Sequence, residues 1–503
     1  MKNGVRRITV LLFLYLCGLM ADSRRASNLQ LRRMRRKITG QSNLIAFLLS
    51  ILTALALTYI VRQPDYTVPQ VYVLFLLFFS VGLWITEAVP PFAVGIMIVG
   101  FLVFSLGSPE IVEEYGIDVQ TFVNTWSDSV IWLMLGGFFL AAGIRVTGLD
   151  YDLFKIAATK FRRSQSLFVL GLMSATGLAS MVISNTATTA MMIAATMPLF
   201  NSKNVSANLK KAVALGIPAG AAIGGMGTLI GSPVNAVAAD LVNNTLKRVE
   251  IGFLEWMYFG VPIALVLIPI LWFVLMRRYP VEDKPVDVQS IITIKEAEEE
   301  LSPEAQDDLA IKRFHKKIVL AILGVTVLLW LTGRIHHIPV AAVSGIPIIG
   351  LTMLSIVTSL EVRGLPWDTL MLVAGGLSLG LAIQETGLSA QFVEEISGFH
   401  ISPWTLAVIF AYATVLLSNV MSNTATVSVL VPAAGMLSVA DPVILPLVVG
   451  LSASCALFLP VSTPPNAIAY STGLLEQKDF RLGGLVVGFG GPILIMLWVF
   501  LLK

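Results

Sequence analysis

Apolar runs of about 18 residues or more, the length that crosses a hydrocarbon core about 30 Å thick, recur from one end of this chain to the other. Lipid offers no hydrogen-bond partner to a backbone, so a crossing segment must be a helix or part of a closed barrel. Barrel strands are segments of about 10 residues with strict alternation, and that pattern is absent from the sequence. Of the 503 residues, 56% are hydrophobic and 13% charged, against roughly one quarter charged in a soluble domain. The expected fold class is therefore an all-α polytopic membrane protein.

The runs fall into two halves. A basic extension, 1–42, precedes a first transmembrane helix within 43–62. The first half, 63–278, holds spans at 69–87, 89–106 and 129–146, a folded-back pair at 166–183 and 187–200, a broken span at 212–240 and a span at 253–276. A polar stretch, 279–316, reads as a partly helical cytoplasmic linker. The second half, 317–503, holds spans at 317–333, 338–359 and 367–385, a folded-back pair at 404–421 and 425–439, a broken span at 442–472 and a last span at 484–502. The layout comes to 11 transmembrane helices plus two re-entrant hairpins, 166–200 and 404–439.

Charge supports this layout. With the N-terminus in the cytoplasm and the C-terminus outside, the inner side receives Lys155, Lys160, Arg162, Arg163, Lys203, Lys210, Lys211, Arg277, Arg278, Arg363, Lys478 and Arg481. The outer side keeps Arg62, Lys247, Arg248, Arg334 and Lys503, while outer loops carry Glu110, Glu113, Glu114, Asp118, Glu394 and Glu395. This is the positive-inside asymmetry. The first hairpin then enters from the cytoplasm and the second from outside. Residues 8–20 have the apolar character of a signal peptide, but the arginine cluster that follows, from Arg24 to Lys37, favours a cytoplasmic N-terminus.

The halves share an ordered set of motifs. Gly136-Gly137 precedes Thr147-Gly148-Leu149, as Gly375-Gly376 precedes Thr386-Gly387-Leu388. Ser184-Asn185-Thr186 and Ser422-Asn423-Thr424 follow, each continued by Ala-Thr. Gly231-Ser232-Pro233-Val234-Asn235 has its echo in Ser462-Thr463-Pro464-Pro465-Asn466. An odd number of crossings per repeat inverts one half relative to the other. Inverted repeats interrupted at matching positions are the mark of a secondary transporter with its site near the midplane. The Gly-Gly pairs read as close helix packing.

Broken helices survive in a membrane only where protein or a water-filled cavity satisfies their backbone. Four helix starts can thus converge, offering N–H groups and partial positive charge to an anion. Carbonyl, Ser, Thr and Asn oxygens suit a hard cation such as Na⁺. The segments 166–200, 212–240, 404–440 and 442–472 contain no Lys or Arg, and Asp240 is their only acid. A dianion would meet no fixed cation there. At an effective dielectric near 20, one cation about 4 Å from a carboxylate is worth roughly 4 kcal/mol, so co-bound Na⁺ would supply the missing charge.

The doubled Ser-Asn-Thr, the Gly-Ser-Pro-Val-Asn and the Thr-Pro-Pro-Asn elements resemble those of the divalent anion/sodium symporters, over about residues 43–503. That family includes bacterial C4-dicarboxylate carriers and the animal sodium/dicarboxylate, citrate and sulfate carriers. The resemblance implies a homodimer in a bacterial inner membrane, an elevator-type movement and Na⁺-coupled uptake of a small dicarboxylate such as succinate, malate or fumarate. It implies a first Na⁺ site from Ser180, Ser184, Asn185 and the backbone at Gly231. A second would use Ser418, Met421, Asn423 and the backbone at Ser462. The carboxylates would meet Asn185, Thr186, Ser232, Asn423, Thr424, Thr463 and Pro464. Val234, where many relatives have a second Pro, departs from the pattern.

Other classes fit less well. The net charge of +3 gives no footprint for nucleic acid, and the four His and two Cys show no metal-ligand spacing. The spans hold no catalytic pair of an intramembrane enzyme. A sodium-independent dicarboxylate exchanger, or a citrate or sulfate carrier, remains open on the same fold.

Overall fold

The computed structural model describes residues 41–245, 251–288, 304–391, 402–437 and 443–502. The segment 1–40, and with it nearly all of the basic extension, lies outside the described residues, as do Lys247, Arg248, Glu394, Glu395, Lys503 and the middle of the linker. Among the described residues the chain is helical and contains no strand.

The principal helices of the first half are α1 (Gln41–Val61), α2 (Val68–Thr86), α3 (Pro91–Leu106), α4 (Ser129–Thr147), α5 (Leu149–Lys160), α6 (Gln165–Ser180), α7 (Asn185–Asn201), α8 (Ala207–Gly225), α9 (Pro233–Thr245) and α10 (Phe253–Arg278). Those of the second are α11 (Glu304–Leu331), α12 (Val340–Met353), α13 (Trp367–Glu385), α14 (Pro403–Ser418), α15 (Asn423–Leu437), α16 (Ile444–Ala453) and α17 (Pro464–Ser471), followed by α18 (Gln477–Leu502). Seven helices among the described residues are long and apolar enough to cross a membrane. An eighth results if α3 is joined to Pro109–Tyr115, which bends away by 80°. Helix α11 begins inside the stretch expected as linker.

Local sequence sets the boundaries. Thr67 opens α2 with a capping box, its N–H donating to Gln70 Oε1 at 2.8 Å. Pro91, Pro403 and Pro464 stand at helix starts, where a missing N–H costs nothing. The matched Thr-Gly-Leu motifs act alike: Gly148 and Gly387 both have φ +72°, the left-handed conformation that halts a helix.

The halves interlock through small residues. Helix α4 packs on α12, where a Cβ added at Gly136 would lie 2.8 Å from Ser344 Cβ. Helix α13 packs on α3, where a Cβ at Gly375 would lie 2.3 Å from Gly95 Cα. Each Gly-Gly helix therefore seats against the Pro-opened helix of the other half. Lipid gives helices no hydrophobic reason to associate, so close backbone approach at small residues does that work. Only 17% of the apolar windows of α1 and of Ile311–Leu331 is buried, against 67% for α13, which puts α1 and α11 on the perimeter.

Ion pairs gather at the two ends. Lys316 Nζ meets Asp152 Oδ2 at 2.5 Å, and Lys211 Nζ meets Asp479 Oδ2 at 2.9 Å. Tyr279 donates to Asp479 Oδ1 at 2.7 Å, and burial together with this bond pushes its phenol above the usual range. Arg334 Nε pairs with Glu255 Oε1 at 2.6 Å. Each pair joins groups that the charge layout puts on one side of the membrane.

Candidate cation and anion site

The two Ser-Asn-Thr copies sit in the same local structure. Helix α6 packs on α7, and α14 on α15, as arms of two hairpins. The bends between the arms repeat bond for bond. Val182 N and Ile183 N both donate to Ala179 O, at 3.0 and 2.8 Å. Val420 N and Met421 N both donate to Leu417 O, at 2.9 and 2.8 Å. Ser184 Oγ then accepts from Ala187 N at 3.3 Å, and Ser422 Oγ from Ala425 N at 3.2 Å. These hydroxyls cap the second arms, a role for which serine is favoured.

The two broken spans also correspond. Asn235 Nδ2 donates to Thr228 O at 2.7 Å and Gly225 O at 2.8 Å. Asn466 Nδ2 donates to Leu459 O at 3.0 Å and Ser462 Oγ at 3.3 Å. Each asparagine thus satisfies a carbonyl released by its break. Thr463 Oγ1 accepts from Asn466 N at 3.4 Å and caps α17.

In the first half these parts meet. Ser180 Oγ donates to Asn185 Oδ1 at 2.5 Å. A Cβ at Gly225 would stand 2.2 Å from Asn185 Oδ1, and one at Gly231 would stand 2.5 Å from Gly225 O and 2.9 Å from Ser180 O. Ser180, Asn185 and the Gly231 backbone therefore form one oxygen-rich cluster that only glycine at 225 and 231 accommodates. The Ser184 hydroxyl accepts the cap bond from Ala187 N and keeps a second lone pair. In the second half Ser418 Oγ and Asn423 Oδ1 are buried and have no protein partner. Ser462 lies alongside the break, its hydroxyl donating to Leu459 O at 2.8 Å and Ala456 O at 3.1 Å. The Met421 side chain belongs to the apolar cluster of α1–α3 and α13, leaving its carbonyl as the only oxygen it can lend. A buried polar atom without a partner costs about 1–3 kcal/mol. Orphaned hydroxyl and amide oxygens fit a hard cation.

The residues expected to meet carboxylates are less uniform. Ser232 and Thr463 are buried, Thr424 is half-buried, and Thr186 and Pro464 are exposed. The helices they begin nevertheless pair across the halves: α7 packs on α17, and α9 on α15. Each helix begun by a motif of one half thus packs on a helix begun by a motif of the other, in an arrangement that spans both halves. The Gly-Gly residues stay outside it, as close packing: a Cβ at Gly137 would meet Ile230, and one at Gly376 would meet Ser428.

Two buried groups escaped the sequence reading. Thr188 and Thr426 are 1% and 0% exposed, and neither hydroxyl has a protein partner. Other helical threonines, such as Thr176 and Thr414, bond the carbonyl four residues back. The signal lay in the repeat itself, since each is the last residue of a Ser-Asn-Thr-Ala-Thr copy.

Paired hairpins and broken spans inside a bundle of apolar helices are the architecture of a multi-pass membrane transporter. The citrate transporter family matches residues 81–443, and the chain belongs to that family. A sodium-dependent dicarboxylate transporter, SdcS, of Staphylococcus aureus strain RF122 / ET3-1 is 28% identical over 499 residues, covering 93% of this chain and 92% of that protein. The SdcS of strain MRSA252 is 29% identical over 495 residues, covering 92% and 91%. Among solved structures, the YdaH transporter of Alcanivorax borkumensis matches with a TM-score of 0.55 at 13% identity, over 82% of this chain and 99% of that one. This last likeness concerns the fold alone.

Proposed function

We propose that the chain is a sodium-coupled symporter that imports C4-dicarboxylates such as succinate, malate and fumarate. It works as a homodimer in a bacterial inner membrane, with the N-terminus in the cytoplasm and the C-terminus outside. The observation that carries this reading is the pairing of α7 with α17 and of α9 with α15. The helices begun by the four motifs pair across the halves, and the segments that hold the motifs contain no Lys or Arg. Helix N-termini attract carboxylates, yet a dianion in such a site still lacks a full counter-charge. Sodium held by Ser180, Ser184, Asn185 and the Gly231 backbone, and by Ser418, Asn423 and the backbone at Met421 and Ser462, supplies it. Ser232, Thr463, Thr186, Thr424, the side chains of Asn185 and Asn423, and Pro464 then orient the carboxylates. The two halves are inverted repeats, and the hairpins with their broken spans move as an elevator against α1–α3 and α13. The similarity to transporters named for sodium and dicarboxylate supports this reading.

The test is uptake by the purified full chain in proteoliposomes. An inward Na⁺ gradient should drive labelled succinate uptake, choline in place of Na⁺ should remove it, and Asn185→Ala or Asn423→Ala should abolish it in correctly inserted protein. Normal uptake by both variants sinks the site assignment. The family match favours citrate as a second substrate. Stronger competition by citrate than by succinate would reassign the cargo, and counterflow without Na⁺ would replace symport by exchange.

A further inference from the structure

We propose that Thr228 and Asn419 are positioning residues: each ties a hairpin bend to the broken span that completes its cation site, and the tie sets the affinity for the cation. This rests on the two-site reading above.

In the first half the tie comes from the broken span. Thr228 Oγ1 donates to the carbonyl of Met181, the residue after Ser180. The same oxygen accepts from Gly231 N at 3.1 Å. One hydroxyl therefore joins the bend to the backbone that the first site needs. In the second half the tie comes from the bend. Asn419, the residue after Ser418, accepts at Oδ1 from Phe458 N at 2.9 Å and donates from Nδ2 to Val415 O at 2.7 Å.

The two ties occupy one place in the repeat with their partners exchanged. Met181 and Asn419 each follow the matched serine. Thr228 and Leu459 each stand seven residues before the matched asparagine. Met181 has no polar side chain, and Thr228 supplies the bond; Leu459 has none, and Asn419 supplies it. Thr228 is buried and Asn419 half-buried, and each half carries one such bonded polar side chain at the same joint.

Both breaks are braced from their far side. Trp256 Nε1 donates to Met226 O at 2.9 Å, and a Cβ at Gly260 would lie 2.2 Å from that oxygen. In the second half the Phe458 ring fills the space at Gly484, where a Cβ would lie 2.1 Å from Phe458 Cδ2. Gly484 opens a π-helical stretch, Gly484–Phe489, a widening that frequently marks functional sites. With the broken span fixed, cutting a tie frees the bend, and the Ser and Asn oxygens lose their alignment with the backbone.

The experiment measures succinate uptake by the reconstituted full chain across a range of Na⁺ concentrations. Thr228→Val and Asn419→Leu should raise half-saturating Na⁺ by about three- to tenfold, the weight of one hydrogen bond, with the rate at saturating Na⁺ within about twofold of wild type. Thr228→Ser, which keeps the hydroxyl, should restore wild-type sodium dependence. Should Asn419→Leu fail to assemble, Asn419→Ser, too short to reach Phe458, replaces it with the same expectation. Wild-type half-saturation in the Val and Leu variants, or a Ser variant as impaired as Val, overturns the proposal. A wild-type protein with no sodium dependence overturns the two-site reading as well, whereas sodium-dependent wild type with unmoved variants overturns the ties alone.

Discussion

Asn235 and Asn466 make the same bond in opposite halves: each donates from Nδ2 to the carbonyl seven residues upstream, Thr228 O at 2.7 Å and Leu459 O at 3.0 Å. A released carbonyl in an apolar interior needs such a donor. Asn235→Ala and Asn466→Ala should each destabilise the detergent-purified protein by about 1–3 kcal/mol. Thermal unfolding monitored by circular dichroism gives the comparison, and a melting point unmoved by either change contradicts this role for the amides.

Gly375 and Gly95 bring α13 and α3 into backbone contact, so close that a Cβ added at Gly375 would lie only 2.3 Å from Gly95 Cα. Gly375→Ala should cost about 1–3 kcal/mol through overpacking. Gly100, on the same α3, has nothing within 4 Å of its added Cβ. Gly100→Ala should leave stability unchanged or raise it by up to about 1 kcal/mol, since Ala is the better helix former. Equal melting points for the two variants would show that the close approach is not what holds these helices.

Thr188→Val and Thr426→Val remove orphaned hydroxyls while keeping the side-chain shape. Each should stabilise the empty protein, because the desolvation cost of an unpartnered group disappears. Succinate uptake slowed about fivefold by either change, the weight of one hydrogen bond, would make the cargo the missing partner. Melting temperature and uptake moving in opposite directions is the signature of that role. A fall in both would make the hydroxyls structural.

The Asp479 side chain is 1% exposed and is held by Lys211 and Tyr279. Lys211→Met leaves that carboxylate short of its cation and should cost about 3 kcal/mol. Adding Asp479→Asn should recover much of the loss, a coupling that a double-mutant cycle on thermal melts would report. Additive effects would show that the pair is not coupled.

The charge layout puts Lys203 inside and Arg334 outside. In a chain lacking its native cysteines, Lys203→Cys should react with an impermeant maleimide only in inside-out vesicles, and Arg334→Cys only in right-side-out cells. The reverse pattern inverts the topology.

Much of this architecture was legible from pattern. Pro, Gly and the Ser-Asn-Thr copies break apolar runs sharply, and for that reason α2 (68–86), α13 (367–385) and both hairpins fall within a few residues of expectation. Which faces are buried was not legible, because lipid and protein interior are equally apolar and select the same side chains. Met421 shows the consequence, since its side chain packs toward α1–α3. Helix caps were hidden for a different reason: a serine that caps, as Ser184 does, looks the same in sequence as one that does not. The ties at Thr228 and Asn419 escaped because they exchange partners between the halves, so a search for identical residues at matching positions passes over both.

Neither hairpin, 166–200 or 404–440, contains an Asp, Glu, Lys or Arg. Membrane voltage exerts about 2.3 kcal/mol per elementary charge per 100 mV, and on these hairpins it has nothing to pull. In the proposed elevator the hairpins' own side chains would carry no formal charge across, and of the four segments that hold the motifs only the broken span 212–240 carries one, at Asp240. Current that accompanies turnover would then come mainly from the ions and anions carried, so charge moved per succinate taken up bears on the stoichiometry of the cycle.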